Sequence, residues 1–290
     1  MWFLRQLSRL PFSVLYKLSS LLSFLIFKVF RYRSKIIRQQ IAQAFPEKSA
    51  SWHNAIANKF YLNFTDVWLE TIKTLTLDRE ELFNRIKLHD YHLLQDHLDR
   101  GQTCIALSAH VGNWEWLLLR FSAQEGFKTD AAYQEVQNAF FNKLMFNIRS
   151  RFGAVLIERK KFLRALIKRK DLTRAIAMIA DQGPGKWTER RYWWTFLNQN
   201  ASFYTSAAKM AIGQKMPLLY AGMYRNKRGY YSVYFKEISI ANTKEPTELY
   251  FTEKYIRLIE ENIHLQPEAY LWTHRRWKRQ PNPEDTVFNV

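Results

Sequence analysis

Residues 103–116 read TCIALSAHVGNWEW: a short apolar run, then a histidine, a glycine-containing turn and the start of a helical pattern. An apolar run of this length, bounded by turn residues, reads as a buried strand; from Asn113 onward the spacing turns helical. The same alternation repeats downstream. GAVLIE (153–158), IAMIA (176–180), PLLYAG (217–222) and YSVYFKE (231–237) are further strand candidates. Helical patterns lie near 113–124, 136–150, 160–172 and 203–213, with a last one near 247–264. Strands alternating with helices predict an α/β domain with a largely parallel central sheet flanked by helices. In such sheets sites gather where strands end and helices begin, and His110 stands at such a junction.

Upstream, residues 36–73 contain a long amphipathic helix, with Ile56, Phe60, Phe64, Val67, Leu69 and Ile72 on its apolar stripe. Phe45-Pro46 breaks the chain before it, and Ser49 or Ser51 can cap it. A second helical stretch, YHLLQDHLDRGQ (91–102), stops at Gly101. The segment LPFSVLYKLSSLLSFLIFKVF (10–30) is apolar and interrupted only by Lys17 and Lys28, which project from one side of a helix. It is long enough to span a bilayer and equally suited to lie in its interface. RYRSK (31–35) beside it places the body of the protein on the cytoplasmic side. The expected division is a membrane-associated N-terminal helix, 1–35, and a catalytic domain, 36–290.

The 290 residues include 44 Lys and Arg against 26 Asp and Glu, a formal charge of +18. Eight of the basic residues precede Pro46, where there is no acidic residue, and fourteen lie between Lys143 and Arg191 against four acidic ones. Such fields favour anionic head groups, an acidic protein or nucleic acid. No nucleic-acid motif appears and the aromatics follow the core pattern, so nucleic acid is not an expected partner. The single cysteine, Cys104, excludes an intramolecular disulfide, and no Cys–His spacing resembles a zinc site. No metal or cofactor is expected.

On their own residues, His110 and Glu115 admit three readings. A neutral imidazole can remove a proton from an attacking hydroxyl, with a carboxylate on its other nitrogen fixing the tautomer. Gly112 then permits close approach, and amides at the helix start can bind a developing oxyanion. A metal site is the weaker second reading, because the second histidine of a zinc helix is absent. The third is a hydrogen-bonded histidine and a glutamate on a solvated helix face.

Other segments bear on the choice. QAFPEKS (43–49), a helix carrying Glu70, SAHVGNWEW (108–116), IRSRFGAVLI (148–157), ADQGP (180–184) and YLWTHRRWK (270–278) follow one another behind the apolar N-terminus. In this order the chain resembles the lauroyl/myristoyl acyltransferases of lipid A biosynthesis, within the lysophospholipid acyltransferase superfamily. The resemblance implies a glycerol-3-phosphate-acyltransferase-like fold. It also implies a His110–Glu115 dyad, with Gly112, Asn113, Arg149 and Asp181 at the substrate. The implied reaction moves a fatty acyl group from an acyl carrier protein, or from coenzyme A, to a lipid hydroxyl at the cytoplasmic face of the inner membrane. His274, Arg275 and Arg276 fit a structural or substrate-supporting role. The chain departs from the family in TFLNQNA (195–201), which lacks a glycine at its turn, in SFYTSAAKMA (202–211), and in the tryptophan- and arginine-rich 181–195. These changes bear on which lipid is the acceptor, another lysolipid or an amino-acid-linked lipid included. In a different class, a basic membrane- or nucleic-acid-binding protein without catalysis has the same bulk charge.

Overall fold

The computed structural model describes residues 1–184, 192–239 and 247–288. Among these residues ten strands run in chain order: β1 (Ile86–His89), β2 (Cys104–Ser108), β3 (Lys128–Tyr133), β4 (Val155–Glu158), β5 (Arg174–Ile179), β6 (Tyr192–Phe196), β7 (Gln199–Ser202), β8 (Leu218–Lys227), β9 (Tyr230–Glu237) and β10 (Thr286–Phe288). Seven of them form one sheet in the order β1-β9-β8-β2-β5-β3-β4. Every pairing in it is parallel except β8 with β9, so the sheet is mostly parallel, as the alternating pattern predicts.

β2 lies in the middle and all five of its residues are buried. Ile105 and Leu107 join the core on one face; Cys104 and Ala106 join the core on the other. A strand covered on both faces reads as a continuous apolar run, which is why CIALS shows no polar alternation. Strand β3 is less legible, because KTDAAY mixes a charge and small residues. Its Asp130 is fully buried between Arg169 and Arg174, at 2.9 and 2.7 Å.

The glycine-free segment TFLNQNA forms a two-residue hairpin between β6 and β7. Leu197 and Asn198 both adopt positive φ, 49° and 61°, as a turn of this hand requires. Leu197 N–H donates to Glu260 at 2.7 Å and Asn198 donates to the Ala44 carbonyl at 3.0 Å, contacts that hold the turn without glycine. With β10 these strands make a second, three-stranded sheet. Part of the arginine-rich 181–195 stretch lies outside the described residues.

Helices flank the large sheet. Those used below are α1 (Trp2–Arg9), α2 (Phe12–Ser23), α3 (Ser34–Ala44), α4 (Ala50–Lys73), α5 (Arg79–Arg85), α6 (His92–Asp99), α7 (Trp114–Ser122), α8 (Ala139–Arg149), α9 (Phe162–Lys168), α10 (Ser206–Gly213) and α11 (Glu248–Leu265). Ser49 caps α4 by accepting the Trp52 N–H, as expected. Asn138 caps α8, which shortens the helix expected from 136.

The N-terminal 1–35 segment, expected as one helix, holds two: the apolar stretch forms a continuous helix over Phe12–Val29, and a short one precedes it. Pro11 separates α1 from α2, and Phe24–Val29 continues α2 in wider turns. Phe12–Val29 has the length and composition of a membrane span, with a mean hydropathy of 1.6. It packs along α4: Phe27 stacks on Tyr61 at 4.3 Å, and Ser19 donates to Asp66 at 2.6 Å. The face toward the body includes Leu15, Ser19, Ser23 and Phe27, whereas Val14, Leu21 and Phe24 point outward.

Candidate active site

Two adjacent strands at the centre of the sheet bring His110 and Asp181 together. β2 and β5 pair in register, Ser108 opposite Ile179. Two residues beyond this pair the chains reach His110 and Asp181. Side chains two apart on a strand share a face, so the shared register carries the imidazole and the carboxylate to the same place. His110 Nδ1 lies 2.6 Å from Asp181 Oδ1. Tyr255, on α11, ties the strand ends together where the ladder stops. Its hydroxyl donates to the Ser108 carbonyl at 2.6 Å and accepts the Ala180 N–H at 3.2 Å.

The C-terminal segment straps the turn that follows. Leu271 N–H donates to the His110 carbonyl at 3.1 Å, and Gly112 N–H donates to the Ala269 carbonyl at 3.0 Å. Gly112 has a φ of 66°, and a Cβ there would lie 3.0 Å from Met223 Cγ, so the turn needs glycine for both reasons. Asn113 begins α7: its Oδ1 accepts the Trp116 N–H at 3.0 Å, and its Nδ2 donates to Glu70 at 2.7 Å.

Glu115 stands in the first turn of α7, beyond this cap. Arg149 grips it with two hydrogen bonds, from Nε at 2.8 Å and Nη2 at 2.6 Å, and Trp114 Nε1 adds a third at 3.2 Å. A bidentate guanidinium–carboxylate pair is directional as well as strong. The resulting geometry differs from the sequence expectation. Asp181, not Glu115, occupies the Nδ1 side of His110, because parallel strands in register bring 110 and 181 together while the helix start carries Glu115 toward Arg149. Asn113, expected at the substrate, is fully buried and its amide is engaged within the protein. Of the backbone amides around the turn, those of Gly112 and Asn113 are not free for an oxyanion: they go to the Ala269 carbonyl and to Met223 Sδ.

Burial works against the charged imidazole. The Asp181 charge and hydrogen bond outweigh it and raise the His110 pKa above the ordinary histidine value, with Glu115 adding and Arg149 subtracting. Burial likewise pushes Asp181 up, but His110 and, more weakly, Arg276 hold it below the usual carboxylate range. His274 is driven down by burial, and the Arg276, His110 and Arg33 charges add to that effect. Arg276 is buried, not a solvated tail: its guanidinium donates to the Ser202 carbonyl at 2.7 Å and lies 4.3 Å over the Phe203 ring. Arg275 beside it is exposed.

His110 opens onto a cavity of about 1210 Å³. Trp114 covers the imidazole edge-on at 5.1 Å, and Glu115 and Arg149 also line the opening. Beyond them the wall is apolar, with Phe121, Phe162, Leu166, Met178 and Met210, and small Ala106, Ala131 and Ala177 lie on the strands. Alanine is unusual in strands, and here it leaves the sheet surface bare. Arg159, Lys170, Lys209 and Lys215 also line it. Among the described residues no group of three or more His, Cys, Asp or Glu is arranged to hold a metal ion. Sequence reasoning placed His110, Glu115, Arg149 and Asp181 at the site but missed Tyr255, which no local motif marks.

An imidazole with its Nδ1 held by a carboxylate, at the mouth of a mostly apolar cavity in an α/β fold, is the arrangement an enzyme of proton transfer would use. The chain matches the family described as bacterial lipid A biosynthesis acyltransferase over residues 1–279. It belongs to that family, and the protein is an acyltransferase that takes an acyl donor and a lipid acceptor. A comparison with individually curated proteins gives no match.

Proposed function

We propose that the protein transfers a fatty acyl group from a thioester to a hydroxyl of a lipid A precursor, with His110 as the base. Asp181 at Nδ1 fixes the tautomer, so Nε2 carries the lone pair. Nε2 takes the proton of the acceptor hydroxyl as its oxygen attacks the thioester carbonyl. The tetrahedral intermediate collapses, the C–S bond breaks, and the imidazolium returns the proton to the leaving thiol. The Trp114 and Glu115 amides, which have no acceptor within their own helix, are free to donate to the developing oxyanion. Glu115 serves chiefly to anchor Arg149, whose Nη1 remains for an anionic part of either substrate. The observation that carries this reading is the His110–Asp181 pair at the mouth of a large apolar cavity.

Acyl carrier protein is the donor this reading favours, since the basic surface complements an acidic protein; coenzyme A fits the same charge. The same reading places the protein on the inner membrane, facing the cytoplasm, with α1 and α2 lying in the membrane plane. Trp2, Phe3, Leu21, Phe24 and Phe30 expose more than half of their surface, as an interfacial helix does. On the inward side of α2, Tyr16 donates to Glu70 and Ser19 to Asp66, hydrogen bonds that a helix leaving the body to span the bilayer would give up.

The test is acyl transfer by the purified protein from radiolabelled acyl carrier protein and from acyl-coenzyme A. Lipid A precursors and lysophospholipids serve as acceptors, with His110→Ala alongside. Transfer to the lipid A precursor that His110→Ala abolishes supports the reading. Transfer only to a lysophospholipid overturns the acceptor, and full activity of folded His110→Ala overturns the base.

A further inference from the structure

A chain of hydrogen bonds runs from the N-terminal helix to the turn that carries His110. Tyr16, on α2, donates to Glu70 Oε1 at 2.9 Å. The other oxygen, Oε2, accepts from Asn113 Nδ2 at 2.7 Å and from the Tyr231 hydroxyl at 2.7 Å. Trp116 joins from the far side: its N–H goes to Asn113 Oδ1 at 3.0 Å and its indole Nε1 to the Glu70 carbonyl at 2.9 Å. Glu70 is 1% exposed and Asn113 0%. Room for the Tyr16 hydroxyl exists because residue 229 is glycine; a Cβ there would lie 1.9 Å from it.

A buried carboxylate needs a hydrogen bond at each oxygen, and three neutral donors provide them here. One of those donors belongs to α2. The carboxylate in turn orients an amide. Asn113 caps α7 only with Oδ1 toward Trp116, and that orientation points its Nδ2 at Glu70. Asn113 stands three residues after His110 and two before Glu115, so its orientation fixes where the turn ends and the helix begins.

We propose that Glu70 is a positioning residue for the catalytic turn and that Tyr16 completes its coordination. The N-terminal helix is then part of the active-site scaffold, not a detachable anchor. This rests on the acyltransferase reading of His110 and Glu115. Four full-length variants test it: Tyr16→Phe, Glu70→Gln, Glu70→Leu and the double Tyr16→Phe/Glu70→Leu. Activity is measured on detergent-dispersed acceptor, where membrane binding does not limit the rate.

Tyr16→Phe lowers kcat about fivefold with KM for acceptor within about twofold, because the lost bond loosens the turn and not the cavity. Glu70→Gln keeps most of kcat, since its carbonyl can serve Asn113 and Tyr231 while its NH2 donates to the Tyr16 oxygen. Glu70→Leu loses at least about twentyfold, and Tyr16→Phe adds nothing to it. Amide hydrogen exchange over residues 110–117 rises in Tyr16→Phe and Glu70→Leu, while exchange in β8 does not. A Tyr16→Phe kcat equal to wild type, or additive losses in the double variant, overturns the proposal. Unchanged exchange at 110–117 overturns it independently of activity. Wild type that transfers no acyl group while the exchange rises in Tyr16→Phe overturns the functional reading and leaves the coupling in place.

Discussion

His110 and Asp181 make opposite demands on pH. Catalysis as a base needs the neutral imidazole, and a raised His110 pKa delays its appearance, so kcat/KM rises with pH through a value above the ordinary 6.5. Stability runs the other way. The ion pair contributes fully only between the ordinary carboxylate range and the ordinary histidine value. It is lost as pH rises through the raised His110 pKa, or falls through the lowered Asp181 pKa. Asp181→Asn removes the charge that raises the imidazole. The expected pH–rate profile shifts its rising limb to lower pH while the plateau falls by about 10²–10⁴, measured with one donor across the range. An unshifted limb would assign the titration to another group. Arg149→Lys keeps the charge but loses the bidentate grip on Glu115. A KM for the anionic substrate raised by about tenfold, with kcat changed less, is the expected kinetic result. These two carboxylates show how far the motif could be read. H-x4-E picked out His110 and Glu115 as neighbours, but the partner of Nδ1 comes from a strand 71 residues later in the chain.

At the scale of elements, α2 combines two unlike faces. Its inward face holds Ser19 on Asp66 and Tyr16 on Glu70; its outward face carries Val14, Leu21 and Phe24. Phe24 is 58% exposed, so Phe24→Glu removes apolar contact with a membrane while leaving the packing on α4 untouched. Co-sedimentation with vesicles containing phosphatidylglycerol should fall several-fold, with the melting temperature within about 1 °C of wild type. Equal sedimentation would mean that this face does not meet the lipid. Hydropathy marked this segment correctly as apolar and could not decide between spanning and lying flat, because both need the same composition. The packing of Ser19 against Asp66 on α4 is the observation that favours the flat arrangement proposed here. The hairpin at Leu197-Asn198 was illegible for a related reason: its positive φ values are held by Glu260 and by the carbonyl of Ala44, both remote in sequence.

Over the whole molecule, cavity shape and charge set what can bind. Ala177 lies on β5 opposite Ala106, lines the cavity and is only partly buried. Ala177→Leu adds volume where an acyl chain would run. In competition assays with mixed chain lengths, the product should shift toward shorter chains with the protein still folded. An unchanged chain distribution would place the acyl chain elsewhere. The excess of 44 basic over 26 acidic residues bears on the other substrate. KM for an acyl carrier protein donor should rise steeply between low salt and about 0.5 M salt, with kcat nearly constant.

The sequence by itself determined the alternation of strands and helices, the buried strand that precedes His110, the basic charge and the histidine at a strand end. These are local or additive properties: periodicity, composition, and a motif of neighbours along the chain. Only the tertiary structure decided that Asp181 holds His110, that Tyr255 ties the two strand ends, and that Glu70 joins the N-terminal helix to the turn after His110. Each of those is a contact between segments far apart in sequence. It depends on sheet register and helix packing, which no single stretch of residues encodes.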